Sequence, residues 1–341
     1  MELTTVWFIL IAILWTGYFV LEGFDFGVGM LMPVLGRGAQ GEARKRVMLN
    51  TIGPVWDGNE VWLLTAGGAT FAAFPHWYAT MFSGLYLPLL LILVALIVRA
   101  LGFDYRGKMD DPTWRKRWDL AIFFGSAVPA LLWGVALTNV VMGLPINAAK
   151  EYTGNFFTLL NPVGLIGGLT TVALFLTHGA IFLALKTEGD IRLEARALSL
   201  KLGAGAAVLA VILLVSINAS TGNVWSWATA VVAAVALLAG LLAVSRGREG
   251  WAFAGTFVAI GAAVATLFLA LFPDVMPSST NAAFSLTTTN ASSTAYTLTI
   301  MTWVAAVFTP IVLVYTSWTY WAFRRRIGTQ HIPSITVGTT L

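Results

Sequence analysis

Residues 6–31 read VWFILIAILWTGYFVLEGFDFGVGML. This run is uncharged except for Glu22 and Asp25, and it exceeds the ~20 residues that a helix needs to cross a bilayer. Eight further runs of that kind follow, which places spans at Val6–Leu31, Leu49–Phe74, Trp77–Val98, Leu120–Met142, Pro162–Leu185, Leu202–Asn218, Val224–Val244, Trp251–Leu271 and Tyr296–Phe323. Lipid cannot satisfy open backbone groups, so helices are expected. The runs are too long and too uniformly apolar for barrel strands. The composition agrees: of 341 residues, 58% are hydrophobic and 11% charged, against about a quarter charged in soluble domains. Mean hydropathy is +0.80.

Charge tests this layout. With the N-terminus outside, the inner segments Leu31–Met48, Arg99–Asp119, Lys186–Lys201, Ser245–Gly250 and the tail after Phe323 hold 4, 6, 4, 2 and 3 Lys/Arg residues. That is 19 of the 20 in the chain, with Lys150 alone outside. The positive-inside rule asks for this asymmetry, and a wrong helix count would destroy it. The expected fold is therefore an all-α membrane protein of about nine transmembrane helices, N-out and C-in. Its parts are residues 1–150 with four helices and the intramembrane acids, 151–272 with four more helices, a Ser/Thr-rich outer loop at 273–295, and 296–341 with the ninth helix and a basic inner tail. Met1–Thr5 has no basic residue and the first apolar run is long, so no cleavable signal peptide is expected.

The absence of cysteine excludes disulfides, iron–sulfur clusters, thiolate zinc sites and covalent c-type haem. No P-loop, dinucleotide or metalloprotease fingerprint occurs, and nothing points to nucleic acid. Of the three histidines, His76 falls at a turn and His331 in the tail. His178 alone lies within a span, where a buried, hydrogen-bonded role is favoured over haem ligation. Tryptophans such as Trp7, Trp77, Trp225, Trp251 and Trp321 sit near span ends, as an aromatic belt does. Trp56 and Trp62 lie inside the second span and read first as core packing.

The chemistry-bearing residues are four acids. Glu22 and Asp25 lie in the first span, Asp57 and Glu60 in the second. A mid-bilayer acid costs roughly 2.5–3.5 kcal/mol, so four of them call for a function. Each pair is spaced i,i+3 and shares a helix face. Carboxyls able to gain and lose a proton inside a membrane are candidate proton carriers. Gly23 and Gly27 permit a close neighbour, Pro54 is expected to kink the second helix near its acids, and Asn59 adds a hydrogen-bonding group. The competing reading is structural, with the acids paired to Arg99, Arg106 or Lys45 or hydrogen-bonded across helices. A secondary transporter using the acids as coupling-ion sites is a further alternative, but it predicts site features in both halves, and the second half lacks acids in its spans.

Several segments carry a resemblance. GFDFGVGML (23–31), GPVWDGNEVWLLTAGGATFAAFP (53–75), FSGLYLPLLLIL (82–93), GFDYR (102–106), YTGNFFTLLNPVGL (152–165), MPSST (276–280) and MTWVAAVFTPIVLVYTSWTYW (301–321) resemble, in order, subunit II of cytochrome bd-type quinol oxidases. The match is weakest over residues 202–272. The resemblance implies two four-helix bundles plus one peripheral helix, packed as a pseudo-symmetric partner on a subunit I that carries haem b and haem d. It implies a bacterial cytoplasmic-membrane complex that oxidises membrane quinol, reduces dioxygen to water and builds a proton-motive force. This chain would ligate no haem or metal and contribute no catalytic residue of its own. Asp57 is implied as part of a proton path from the inside, with Asp25, Glu22 and Glu60 as further members, and Trp62 as lying near an oxygen entrance from lipid. Glu22 matches a position that also takes Asp, and Glu60 one that can carry an amide. Some relatives hold a bound quinone, and small accessory subunits are candidate partners.

Overall fold

The computed structural model describes residues 2–332. It consists of α1 (Leu3–Leu35), α2 (Gly41–Ile52), α3 (Trp56–Ala73), α4 (Pro75–Gly84), α5 (Tyr86–Tyr105), α6 (Pro112–Met142), the single turn α7 (Phe156–Leu159), α8 (Pro162–Lys186), α9 (Gly189–Thr221), α10 (Val224–Ser245), α11 (Glu249–Leu271) and α12 (Ala295–Ala322). The loop before α12 contains a small antiparallel ribbon of β1 (Asp274–Met276) and β2 (Leu286–Thr287). Of the expected 296–341 segment, residues from 333 onward lie outside the described residues.

Among the described residues, eight helices are long and apolar enough to cross a membrane: α1, α5, α6 and α8 to α12. Two expected spans differ from the structure. Leu49–Phe74 is not one helix, because α2 ends at Ile52 and α3 begins at Trp56. Pro54 has no N–H to donate and clashes with a preceding helical turn, so the expected kink becomes a break. Trp77–Val98 is likewise divided, with α4 ending at Gly84 and α5 starting at Tyr86. The shortened α3, at 18 residues and carrying Asp57 and Glu60, is not among the eight.

Several helix starts are set by short polar side chains. Asp111 accepts from the Thr113 and Trp114 amides, and Asn155, Asn161 and Asn223 do the same for α7, α8 and α10. Pro112 and Pro162 then occupy first-turn positions, where no partner for an N–H exists anyway.

Helix α1 is the hub, packing on α3, α6, α8 and α11. Its contact with α8 is backbone to backbone: a Cβ on Gly27 would run into the Phe175 carbonyl oxygen and the Gly179 backbone. Aromatic rings fill the space around this crossing, with Phe19 stacked on Phe175 and Phe24 on Phe182. Helix α2 is held at the basic end by a buried Arg106. Its Nε donates to Asp119 Oδ1 at 2.6 Å and its two Nη atoms to Glu42 at 2.9 and 2.8 Å, while Lys45 reaches Asp119 Oδ2 at 2.8 Å. Burial works against the Arg106 charge, but the bonds to Glu42 and Asp119 outweigh it and hold the group above its ordinary range.

Helix α12 is peripheral. It packs on α1 and α3, and Leu298 is its one buried residue. Beyond it the chain doubles back at the basic end. Lys186 Nζ donates to the Phe323 carbonyl, Ile327 N to Lys186 O and Glu188 N to Ile327 O, the latter two at 3.0 Å. Glu249, almost fully buried, accepts from Arg192 at 2.8 Å and from Arg326 at 3.5 Å.

Candidate functional site

The site forms where α1, α3, α5 and α12 meet. Glu22 and Asp25 project from α1 and have no exposed surface. Arg99, also fully buried, comes from α5, within the membrane-crossing part of the helix rather than in the loop where hydropathy places it. Gly125 of α6 makes room for it, since a Cβ there would overlap the Arg99 stem and the Ala95 carbonyl. The Arg99 guanidinium donates to Glu22 Oε1 and stands 3.9 Å from Glu60 Oε1. It lies over the Phe26 ring at 4.6 Å and the Phe103 ring at 5.4 Å. The pair is thus charge-matched and aromatic-walled, the setting in which a buried guanidinium is tolerated.

Asp25 is held differently. Asn59 Nδ2 donates to Asp25 Oδ2 at 2.6 Å and makes a longer contact of 3.4 Å to the Leu21 carbonyl. The other end of the Asn59 amide, Oδ1, accepts from the Tyr320 hydroxyl at 2.7 Å. Buried atoms left without a protein partner cluster here: Glu22 Oε2, Asp25 Oδ1, Glu60 Oε1, and Arg99 Nε and Nη1. Buried polar atoms of this kind are ordinarily met by ordered water.

Of the four acids singled out in the sequence, Glu22 and Asp25 are fully buried and Glu60 is half-buried beside Arg99. Asp57 departs from expectation. With the helix broken before Trp56, it falls in the first turn of α3 and is exposed, so it lies nearer a helix end than a continuous span would put it. Trp62 is half-buried and lies against Gly17 of α1. The structural alternative is realised for Glu22, through Arg99, and for Asp25, through the cross-helix bond from Asn59, but not through Arg106 or Lys45, which bond Glu42 and Asp119. Tyr320 was missed. It sits in a Trp/Tyr-rich helix end that reads as an aromatic belt, and no local signal marks its hydroxyl as buried against α3.

His178 has both ring nitrogens engaged, Nδ1 with Thr256 Oγ1 at 2.7 Å and Nε2 with the Val20 carbonyl at 3.2 Å. A carbonyl only accepts, so Nε2 carries a proton. Its ring stacks on Phe253. His76 and His331 are exposed. Among the described residues no group of three or more His, Asp or Glu is arranged to hold a metal ion.

These features define an all-α, multi-pass membrane protein with a charged, partly unpaired pocket in its first helices. Comparison with known proteins sharpens this. The family described as cytochrome bd terminal oxidase subunit II matches residues 3–323. Cytochrome bd ubiquinol oxidase subunit 2 of Bacillus subtilis is 40% identical over 333 residues, covering 96% of this chain and 97% of that one. Cytochrome bd-I ubiquinol oxidase subunit 2 of Escherichia coli K12 is 38% identical over 374 residues, covering 96% of each. A chain of the bd oxidase from Geobacillus thermodenitrificans shares the fold at a TM-score of 0.77 and 18% identity, over 94% of this chain and 97% of that chain. This chain belongs to the cytochrome bd terminal oxidase subunit II family.

Proposed function

We propose that this chain is the haem-free subunit of a quinol:oxygen oxidoreductase in the bacterial cytoplasmic membrane. It pairs with a haem-bearing subunit I, which oxidises membrane quinol, reduces dioxygen to water and builds a proton-motive force. Haem b and haem d belong to that partner. That reading is supported by His178, the one histidine within a span, whose two ring nitrogens are engaged by Thr256 and Val20. In this orientation the basic end faces the cytoplasm.

The chain's own contribution is proton delivery. Asp57, exposed on α3, is the entrance. Glu60, one turn further on the same face, passes the proton inward to the buried cluster of Glu22, Arg99 and Asp25. The observation that carries this reading is the convergence of unpartnered carboxylate oxygens, Glu22 Oε2, Asp25 Oδ1 and Glu60 Oε1, around one buried guanidinium. Trp62, an apolar surface facing into the helix cluster, lines the route by which dioxygen enters from lipid.

The test is oxygen uptake by the purified complex with Asp57→Asn or Asp25→Asn, at unchanged haem absorbance. Slowed uptake at full haem content supports the reading, and wild-type uptake in both variants rejects it.

A further inference from the structure

Helix α12 is fastened to the remainder of the chain by few polar contacts, and they lie at its two ends. Near the ribbon end, Trp7 Nε1 donates to the Leu298 carbonyl at 3.2 Å and to Thr302 Oγ1 at 3.1 Å. Near the basic end, the Tyr320 hydroxyl donates to Asn59 Oδ1 at 2.7 Å. Just beyond Tyr320, the returning tail is clamped by Lys186 on Phe323 O and by the paired backbone bonds between Lys186, Glu188 and Ile327. Tyr320 is therefore presented from a fixed backbone.

Asp25 and the Leu21 carbonyl take the Asn59 amide nitrogen, and the Tyr320 hydroxyl anchors its other end. An amide oxygen only accepts, so Tyr320 must be the donor. Were the amide flipped, its oxygen would meet the Asp25 carboxylate, acceptor against acceptor. The result is that Asp25 is gripped by one oxygen and presents the other, Oδ1, without a protein partner.

We infer that Tyr320 is a positioning residue: by anchoring Asn59 it holds Asp25 so that Oδ1 is the atom offered for proton exchange. The last helix thereby sets the geometry of a pocket built by the first helices. This inference rests on the reading that Asp25 handles protons.

The experiment uses the full complex with Tyr320→Phe, Asp25→Asn and the double variant, each at wild-type haem content. Tyr320→Phe keeps the ring and removes only the hydroxyl. Oxygen uptake should fall about fivefold, the worth of one neutral hydrogen bond. The same change should add nothing in the Asp25→Asn background, because the two residues act through one carboxyl. In infrared difference spectra, the carboxyl band identified by its loss in Asp25→Asn should shift in Tyr320→Phe, which a role confined to anchoring α12 would not produce. Wild-type uptake with an unmoved Asp25 band in Tyr320→Phe, while Asp25→Asn is slow, overturns the positioning role and leaves the proton reading standing. Additive slowing in the double variant also overturns it. Full activity in Asp25→Asn removes the proton reading and this inference together.

Discussion

Arg99 and Glu22 form an ion pair in which neither side chain has any exposed surface. The pair ties α5 to α1, and Glu60 at 3.9 Å brings α3 into the same charge group. A guanidinium at this depth is held by its partners, not by solvent, and the loss of one partner strands the other.

Removing one member should therefore be far worse than removing both. Glu22→Leu leaves Arg99 charged and buried, an expected loss of about 3–5 kcal/mol, whereas Glu22→Leu with Arg99→Met should recover most of it. Thermal unfolding of the purified complex, followed by tryptophan fluorescence, makes the comparison. A double variant no more stable than the single one would contradict the pairing.

Glu60→Gln should be mild by the same measure. Glu60 is partly exposed and stands at the edge of contact with Arg99, so its loss should cost about 1 kcal/mol or less. Oxygen uptake, however, should fall if Glu60 passes protons inward. Unchanged uptake would remove it from the path while leaving Asp57 and Asp25 to be judged separately.

The α1–α8 crossing makes a steric prediction. A methyl at Gly27 meets the Phe175 carbonyl and the Gly179 backbone, neither of which can rotate away. Gly27→Ala should destabilise by about 1–3 kcal/mol and Gly27→Leu should prevent assembly. Gly205, on α9 with nothing within 4 Å of an added Cβ, is the control: Gly205→Ala should be neutral or slightly stabilising. Yield of haem-replete complex and its melting temperature test both.

At the basic end, Arg106→Ala should release α2, because Glu42 and Asp119 lose the group that joins them. Limited proteolysis should then cut within residues 36–46 faster than in the wild type. Arg106→Lys should rescue only in part, since an ammonium cannot bond Glu42 through two parallel donors and Asp119 through a third. Equal protease resistance in Arg106→Ala would show that apolar contacts alone seat α2.

The apolar runs were legible because lipid imposes a length and a composition that periodicity cannot hide, and seven of the expected spans correspond to single helices. The other two were not legible as drawn. Hydropathy averages over Gly53-Pro54-Val55, whereas the chain breaks there for a local reason, the missing Pro54 amide. That break is also why Asp57 is exposed while Glu60 is half-buried. Arg99 was readable as a partner for Glu22 but not at its depth, because a charge scale assigns arginine to a loop and cannot see Phe26, Phe103 and Gly125 preparing a place for it. The acids of α1 were visible from chemistry alone. The Tyr320–Asn59 contact joins residues 261 positions apart, a relation that no window along the chain contains.

That separation bears on biosynthesis. Asn59 leaves the ribosome 261 residues before Tyr320, whose hydroxyl anchors it. A chain cut before α12 would carry Asp25 and Asn59 without that hydroxyl.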